Sequence, residues 1–200
     1  MGRRIAILLS GRGSNFLAIY ENILRGKLDA DICAVISDRS KAPGLLKAKE
    51  LGLPSFFVSF KDRAKGEKET ARIIEERGAD LICLAGFMRI LSANFVRRFK
   101  GKILNIHPSL LPSFPGLDAQ KQAFEYGVKY SGCTVHFVDE GVDSGPIVKQ
   151  AIVKVFDDDT PQKLAERILR EEHKIYSEAI KLVLDNQYVI EGRRVLFKKK

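Results

Sequence analysis

The chain contains no tryptophan, and only two methionines and three histidines are spread through 200 residues. Its three cysteines, Cys33, Cys83 and Cys133, each sit in an apolar strand-like run, with no CxxC pair and no Cys/His cluster. That pattern excludes a disulfide scaffold and a zinc-binding motif, and it points to a reduced, cytoplasmic setting. No apolar run reaches the roughly 18 residues that span a bilayer, so no membrane segment is expected. The opening MGRRIAILLS carries two arginines before an apolar run. The run is too short for a signal peptide, and SGRGSN comes next in place of a small-residue cleavage site. It reads as a first strand. Internal repeats, linkers and low-complexity segments are also missing.

What is present is charge. Lys and Arg exceed Asp and Glu by 9, in a chain that is 45% hydrophobic and 30% charged. The surplus favours anionic partners. The basic residues are dispersed, apart from the tail Lys198-Lys199-Lys200, which is expected to be solvated. Dispersed charge without tryptophan predicts an anionic small molecule as ligand, and no dedicated nucleic-acid surface.

The front half alternates short apolar runs with helical patterns. Strands are expected at Arg4–Leu9, Asp31–Ser37, Ser55–Val58, Asp80–Ala85 and Lys102–Ile106. Helices are expected at Ser14–Leu24, Pro43–Leu51, Glu67–Arg77 and Ser92–Phe99, with Gly78 as a stop and Ser92 as a cap. IAILL and LICLA are apolar at every position, as parallel strands covered on both faces require. The fold class is therefore α/β: a doubly wound, mostly parallel sheet with a Rossmann-like front half. The C-terminal half changes character. Gly132–Val138 and Ile147–Val155 read as antiparallel strands, and Thr160-Pro161 opens a long helix to about Leu184. Tyr188–Ile190 with Val195–Phe197 forms an expected terminal hairpin. The organisation predicted is a single domain over residues 1–200, with a nucleotide-binding half over 1–100.

Several short motifs carry chemistry. SGRGSN places glycines 11 and 13 at a strand-to-helix turn, where backbone N–H groups with Ser14 and Asn15 can cradle a phosphate. It is not a P-loop, since no Gly-Lys-Ser/Thr succeeds it, and Phe16 occupies the third glycine position of a dinucleotide fingerprint. An ordinary turn is the competing reading. In NIHPSLLPSFPG, Asn105 and His107 lie two apart on a strand and so share a face, and Pro108, Pro112 and Pro115 stiffen the segment after them. An amide donor suits a developing oxyanion, and an imidazole can supply a proton or charge near neutral pH. Asp143, in the acidic loop Asp139–Gly145, is a candidate partner that would raise the pKa of His107. Phe87-Met88-Arg89-Ile90-Leu91 comes after the fourth strand, and the carboxyl ends of strands in such sheets form the ligand crevice. His136 and His173 are read as structural. Ser109 lacks a GxSxG setting, so no covalent nucleophile is expected.

LSGRGSNFLAI, LAGFMRILS, NIHPSLLPSFPG, GCTVHFVDEGVDSGPIV and EEHKIY together resemble the folate-dependent formyltransferases, and within them the phosphoribosylglycinamide formyltransferases of purine synthesis. The resemblance runs to about Leu184. It implies formyl transfer from 10-formyltetrahydrofolate, as co-substrate and without a metal, to the amine of 5′-phosphoribosylglycinamide. It implies Asn105, His107 and Asp143 as the catalytic trio. Gly13, Ser14 and Asn15 match the phosphate loop, and Glu172 matches a ribose-binding residue. Met88, Arg89, Ile90 and Leu91 match the folate pocket, with Asn105, Val138 and Val142 also lining it. Arg63, in FKDR, resembles an arginine that meets the folate glutamate. The 101–200 half then carries the catalytic loop, folate-binding residues and C-terminal helix. The implied partners are a phosphorylated small molecule and folate, without nucleic acid or membrane, in a monomer or weak dimer. Asp118 stands where many relatives have histidine, so no histidine acts at that point.

Rival readings remain open on sequence. A transfer-RNA formylase or a formyltetrahydrofolate hydrolase shares the Asn-His-Asp set; each is expected to carry an extra domain. A dinucleotide-binding oxidoreductase would use SGRGSN with Asp38 on a ribose. A non-catalytic nucleic-acid binder is suggested by net charge alone.

Overall fold

The computed structural model describes residues 3–198, so Met1, Gly2 and the last two lysines of the basic tail lie outside the described residues. The chain divides between Leu104 and Asn105 into two compact units.

In the first unit, β1 (Arg4–Leu9), β2 (Asp31–Ser37), β3 (Ser55–Phe57) and β4 (Leu81–Leu84) alternate with α1 (Ser14–Leu24), α2 (Pro43–Glu50) and α3 (Arg63–Glu76). Helix α4 (Ala93–Arg98) comes after β4. Strand β1 lies between β2 and β4 and is parallel to both, and β3 pairs in parallel with the far side of β2. The unbroken apolar runs are explained by burial: Ile5 to Leu9 are each fully buried. Burying one such side chain contributes about 1.5–3 kcal/mol, which makes these runs the centre of the core.

Helix α3 begins four residues before the expected Glu67. Its first turn is polar, so apolar spacing does not mark it. Asp62 caps it by accepting from the Lys65 N–H at 3.1 Å. Gly66 is needed there because a Cβ would sit 2.9 Å from the Ser59 carbonyl oxygen.

Strand β5 (Ile103–His107) starts in the first unit and enters the second at Asn105. The second unit adds α5 (Ala119–Tyr126), β6 (Tyr130–Phe137), β7 (Ile147–Lys154), α6 (Pro161–Asp185), β8 (Tyr188–Glu191) and β9 (Arg194–Phe197). Strands β6 and β7 are antiparallel, as are β8 and β9, with the order β5-β6-β7-β9-β8 in this unit. The described residues thus hold a mixed, mostly parallel nine-stranded sheet flanked by helices. Helix α5 was not expected from sequence; its eight residues bury only Ala119 and Ala123, too few to show a stripe. Helix α6 is capped by Thr160, which accepts from the Lys163 N–H at 3.2 Å. It buries Leu164, Ile168, Ile175, Tyr176, Ala179, Ile180 and Val183, a helical stripe. Among the described residues no helix is long and apolar enough to cross a membrane.

Candidate active site

In the second unit, Asn105 and His107 leave β5 on one face and run into a braced loop. The Thr134 hydroxyl donates to the Ser109 carbonyl at 2.7 Å and accepts from the Leu111 N–H at 3.1 Å. Gln150 donates to the Leu111 carbonyl at 3.0 Å and to the Thr134 hydroxyl at 2.9 Å. Ser109 is fully buried and donates to the Ser113 carbonyl at 2.5 Å, so its hydroxyl is already spent. This bracing presents Phe114, at φ 52, with its carbonyl oxygen 2.9 Å from His107 Nε2.

The acidic loop between β6 and β7 is equally constrained. Asp139 Oδ1 accepts from the Gly141 N–H at 3.1 Å and from the Ser144 hydroxyl at 2.7 Å. A Cβ on Gly145 would lie 1.8 Å from the Phe137 carbonyl oxygen, so only glycine lets the loop close against β6. Asp143 takes a left-handed φ of 51 at the tip. Its Oδ2 accepts from the Gly116 N–H at 2.8 Å and stands 3.2 Å from His107 Nδ1. Its Oδ1 accepts from Asn105 Nδ2 at 3.4 Å. Asn105, His107 and Asp143, 38 residues apart at the extremes, therefore meet in one cluster.

Both neighbours of the His107 ring are acceptors, a carbonyl at Nε2 and a carboxylate at Nδ1, so the geometry asks for a proton on each nitrogen. Burial opposes this and carries the His107 pKa below its ordinary value, against the pull of the Phe114 carbonyl and the Asp143 charge. The expectation of a raised pKa is thus corrected: desolvation outweighs the carboxylate. Burial likewise pushes Asp143 upward, but the nearby His136 ring, the hydrogen bond from the Gly116 N–H and the charge on His107 together hold it below the usual carboxylate range. The result is a buried, closely coupled pair, with Nδ1 3.2 Å from Oδ2.

His136 belongs to this cluster and not merely to the strand, because β6 lies beside β5, which carries Asn105. Its Nδ1 donates to the Phe137 carbonyl at 2.8 Å, which leaves Nε2 as an acceptor for Asn105 Nδ2 at 3.2 Å. The same Nε2 lies 3.7 Å from Asp143 Oδ1. Sequence reasoning missed this role because the strand order that sets β6 beside β5 is not written in the β6 run itself. Glu172, on α6, is buried, and its charge reaches Cys133 of β6. Burial first, and Glu172 next, push the Cys133 thiol up to about 12.

In the first unit, Gly13 is the N-cap of α1 at φ 76 and makes no side-chain cap hydrogen bond. A Cβ there would lie 2.8 Å from the Gly44 Cα, so the turn needs glycine for space as well as for φ. Ser10 accepts from the Met88 N–H at 2.8 Å and so ties this turn to the 88–91 segment. Within that segment Met88 is 58% and Ile90 70% exposed, unusual apolar exposure, while Leu91 is buried. Val142, in the second unit, is also exposed. Val138 is half-buried. Arg89 Nε donates to Asp38 Oδ2 at 2.6 Å, and the Asp38 side chain has no exposed surface. Asp38 therefore cannot reach a ribose, which removes the residue on which the oxidoreductase reading depended. Arg63 is half exposed and pairs with Glu67 at 3.3 Å. No group of three or more His, Cys, Asp or Glu among the described residues is placed to hold a metal ion.

The chain is similar to known proteins over most of its length. The trifunctional purine biosynthetic protein adenosine-3 of Drosophila melanogaster is 46% identical over 194 residues. That match takes in 94% of this chain but spans only 14% of the fly protein. The phosphoribosylglycinamide formyltransferase of Bacillus subtilis (strain 168) is 40% identical over 185 residues, covering 91% of this chain and 95% of that protein. The crystal structure of glycinamide ribonucleotide transformylase 1 from Symbiobacterium toebii superposes with a TM-score of 0.95 at 46% identity, over 99% of this chain and 95% of that one. A family model described as formyl transferase matches residues 3–180, and on that span the chain belongs to the formyl transferase family.

Proposed function

We propose that the chain transfers the formyl group of 10-formyltetrahydrofolate to the amine of 5′-phosphoribosylglycinamide, in purine biosynthesis. The observation that carries this reading is the Asn105–His107–Asp143 cluster, with the Asp143 carboxylate 3.2 Å from His107 Nδ1 and 3.4 Å from Asn105 Nδ2. The substrate nitrogen attacks the formyl carbon, and the C–N bond to folate breaks after a tetrahedral oxyanion has formed. One proton leaves the attacking nitrogen and one reaches the folate nitrogen, so the site must move a proton without net gain. The Asp143 carboxylate, 3.2 Å from His107 Nδ1, suits that relay through water.

Asn105 supplies the oxyanion donor. Its Nδ2 hydrogens are engaged by His136 at 3.2 Å and by Asp143 at 3.4 Å in the free protein. The longer bond is the one exchanged for the oxyanion, since catalytic hydrogen bonds commonly tighten only around the reacting group. His107 has both nitrogens occupied, so it acts chiefly by holding Asp143 in place. Gly13, Ser14 and Asn15 take the substrate phosphate, and Glu172 the ribose. Arg63, Met88, Arg89, Ile90, Leu91, Asn105, Val138 and Val142 take folate, which accounts for the exposed apolar Met88, Ile90 and Val142. No metal enters the reaction. We take residues 1–200 as one formyltransferase domain, supported by a family match that spans 3–180. The protein acts in the cytoplasm, as a monomer or weak dimer, without nucleic-acid or membrane partners.

The test tracks loss of the 10-formyl cofactor spectroscopically. Loss that requires the ribonucleotide is expected. Loss in its absence identifies a hydrolase, and no loss with both substrates present overturns the reading.

A further inference from the structure

Phe114 offers its backbone carbonyl to the His107 ring from a conformation that its own sequence disfavours. Its φ of 52 lies in the left-handed region, which a non-glycine residue keeps only when its surroundings enforce it. Pro115 stands next, and the residue before a proline is driven toward extended backbone. Gly116 takes its own left-handed φ of 84 without that cost, because it has no Cβ. The chain is anchored on either side of Phe114. Before it, the Ser113 N–H donates to the Leu110 carbonyl at 3.0 Å, and the Ser109 hydroxyl donates to the Ser113 carbonyl at 2.5 Å. After it, the Gly116 N–H donates to Asp143 at 2.8 Å. Between these anchors the Phe114 ring packs edge-to-face on Tyr126, with ring centroids 5.6 Å apart and planes at 65°.

Tyr126 is the last residue of α5 and is 79% exposed, so it adds little to the core. Its helix is fixed from below by the buried Ala119 and Ala123, and Gln122 Nε2 donates to the Leu117 carbonyl at 2.6 Å. A ring on that footing can hold another in place, since edge-to-face pairs attract beyond their buried area. We infer that Tyr126 is a positioning residue for the reaction: its ring holds Phe114 in the left-handed conformation that keeps the Phe114 carbonyl against His107 Nε2. The inference rests on the role proposed for the Asn105–His107–Asp143 cluster. Three groups face the His107 ring: the Phe114 carbonyl 2.9 Å from Nε2, the Asp143 carboxylate 3.2 Å from Nδ1, and His136, whose Nε2 lies 3.7 Å from Asp143 Oδ1. Burial lowers the His107 pKa, and the Phe114 carbonyl opposes burial by favouring the protonated ring. A carbonyl that swings away therefore lets the His107 midpoint fall further. Asp143 keeps its bond to the Gly116 N–H, so the site is loosened and not dismantled.

The test compares Tyr126→Ala and Tyr126→Phe with the wild type, by steady-state kinetics and by NMR titration of the His107 ring nitrogens. Tyr126→Ala should lower kcat about three- to tenfold, leave the ribonucleotide KM nearly unchanged and lower the His107 midpoint. Tyr126→Phe keeps the ring and should match the wild type in all three. The deciding arm is Phe114→Gly, because glycine takes the left-handed φ unaided. Adding Tyr126→Ala to Phe114→Gly should change neither kcat nor the His107 midpoint any further. A full Tyr126→Ala loss in the Phe114→Gly background, the same loss in Tyr126→Phe, or a His107 midpoint that does not fall in Tyr126→Ala overturns the inference. The titration needs no turnover, so it separates the two readings. A midpoint that falls in a protein without formyl transfer sinks the proposed reaction and leaves the Tyr126–Phe114–His107 linkage standing. Full turnover with an unmoved midpoint sinks the linkage alone.

Discussion

Replacing Asp143 with asparagine exchanges one carboxylate oxygen for an NH₂ group at a point where three donors converge. Gly116 N–H at 2.8 Å and His107 Nδ1 at 3.2 Å both need an acceptor at Oδ2, so the retained carbonyl must stay there. The new NH₂ then faces Asn105 Nδ2, formerly 3.4 Å from Oδ1, and two donors oppose each other. The imidazole also loses the negative charge that favoured its protonated form. Losing one preorganised electrostatic contact of this kind costs about 3–4 kcal/mol of barrier, or roughly 10²- to 10³-fold in kcat. KM for the ribonucleotide should change little, because no substrate-binding role is assigned to Asp143. Stability should move by no more than about 1 kcal/mol, or about 2–4 °C in Tm for a chain of this size, since a charge with its desolvation penalty is removed along with its bonds. The measurements are steady-state kinetics under conditions where chemistry limits turnover, with thermal denaturation alongside. A variant that keeps kcat within about threefold of wild type (under 1 kcal/mol) would show that the carboxylate is not part of the chemistry.

Four further outcomes are expected. His136→Ala frees the Asn105 amide that its Nε2 orients at 3.2 Å, and should lower kcat about tenfold with folate KM nearly unchanged; equal loss in a Tm-matched surface variant would mark His136 as merely structural. Gly145→Ala forces a Cβ to 1.8 Å from the Phe137 carbonyl and should destabilise by about 3 kcal/mol or more through backbone displacement, read by chemical denaturation. Arg89→Ala leaves the fully buried Asp38 carboxylate without its partner and should cost about 1–3 kcal/mol, with the half-exposed arginine itself limiting the loss. Acidification should unfold the protein in two stages, seen in the denaturation midpoint against pH. His107 has a folded pKa below its ordinary 6.5, so the unfolded chain takes up that proton more readily and stability declines as pH drops from about 6.5 toward the folded value. Asp143 is depressed below its ordinary 3.8, so its contribution is present above that value and is lost as pH falls through the folded pKa. In Asp143→Asn the second stage should weaken while the first extends lower; a profile flat through both ranges would contradict the burial assigned to the pair.

Sequence alone determined the alternation of elements, because a fully covered parallel strand must be apolar at each position and a helix must be apolar on one stripe. IAILL and LICLA carry that signature, and Ser92 and Thr160 mark helix starts by chemistry that needs no tertiary partner. Asn105 and His107 were legible as a pair because a strand's period of two puts them on one face. Helix α5 was not legible, since its eight residues bury two alanines and show no stripe. The tertiary structure alone decided which groups meet. Asp143 reaches His107 because Gly145 lets the acidic loop close against β6, and His136 reaches Asn105 because β6 takes its place beside β5. It also decided the sign of the His107 pKa shift, which depends on how much water the fold removes from the ring and not on which residues stand near it in the chain.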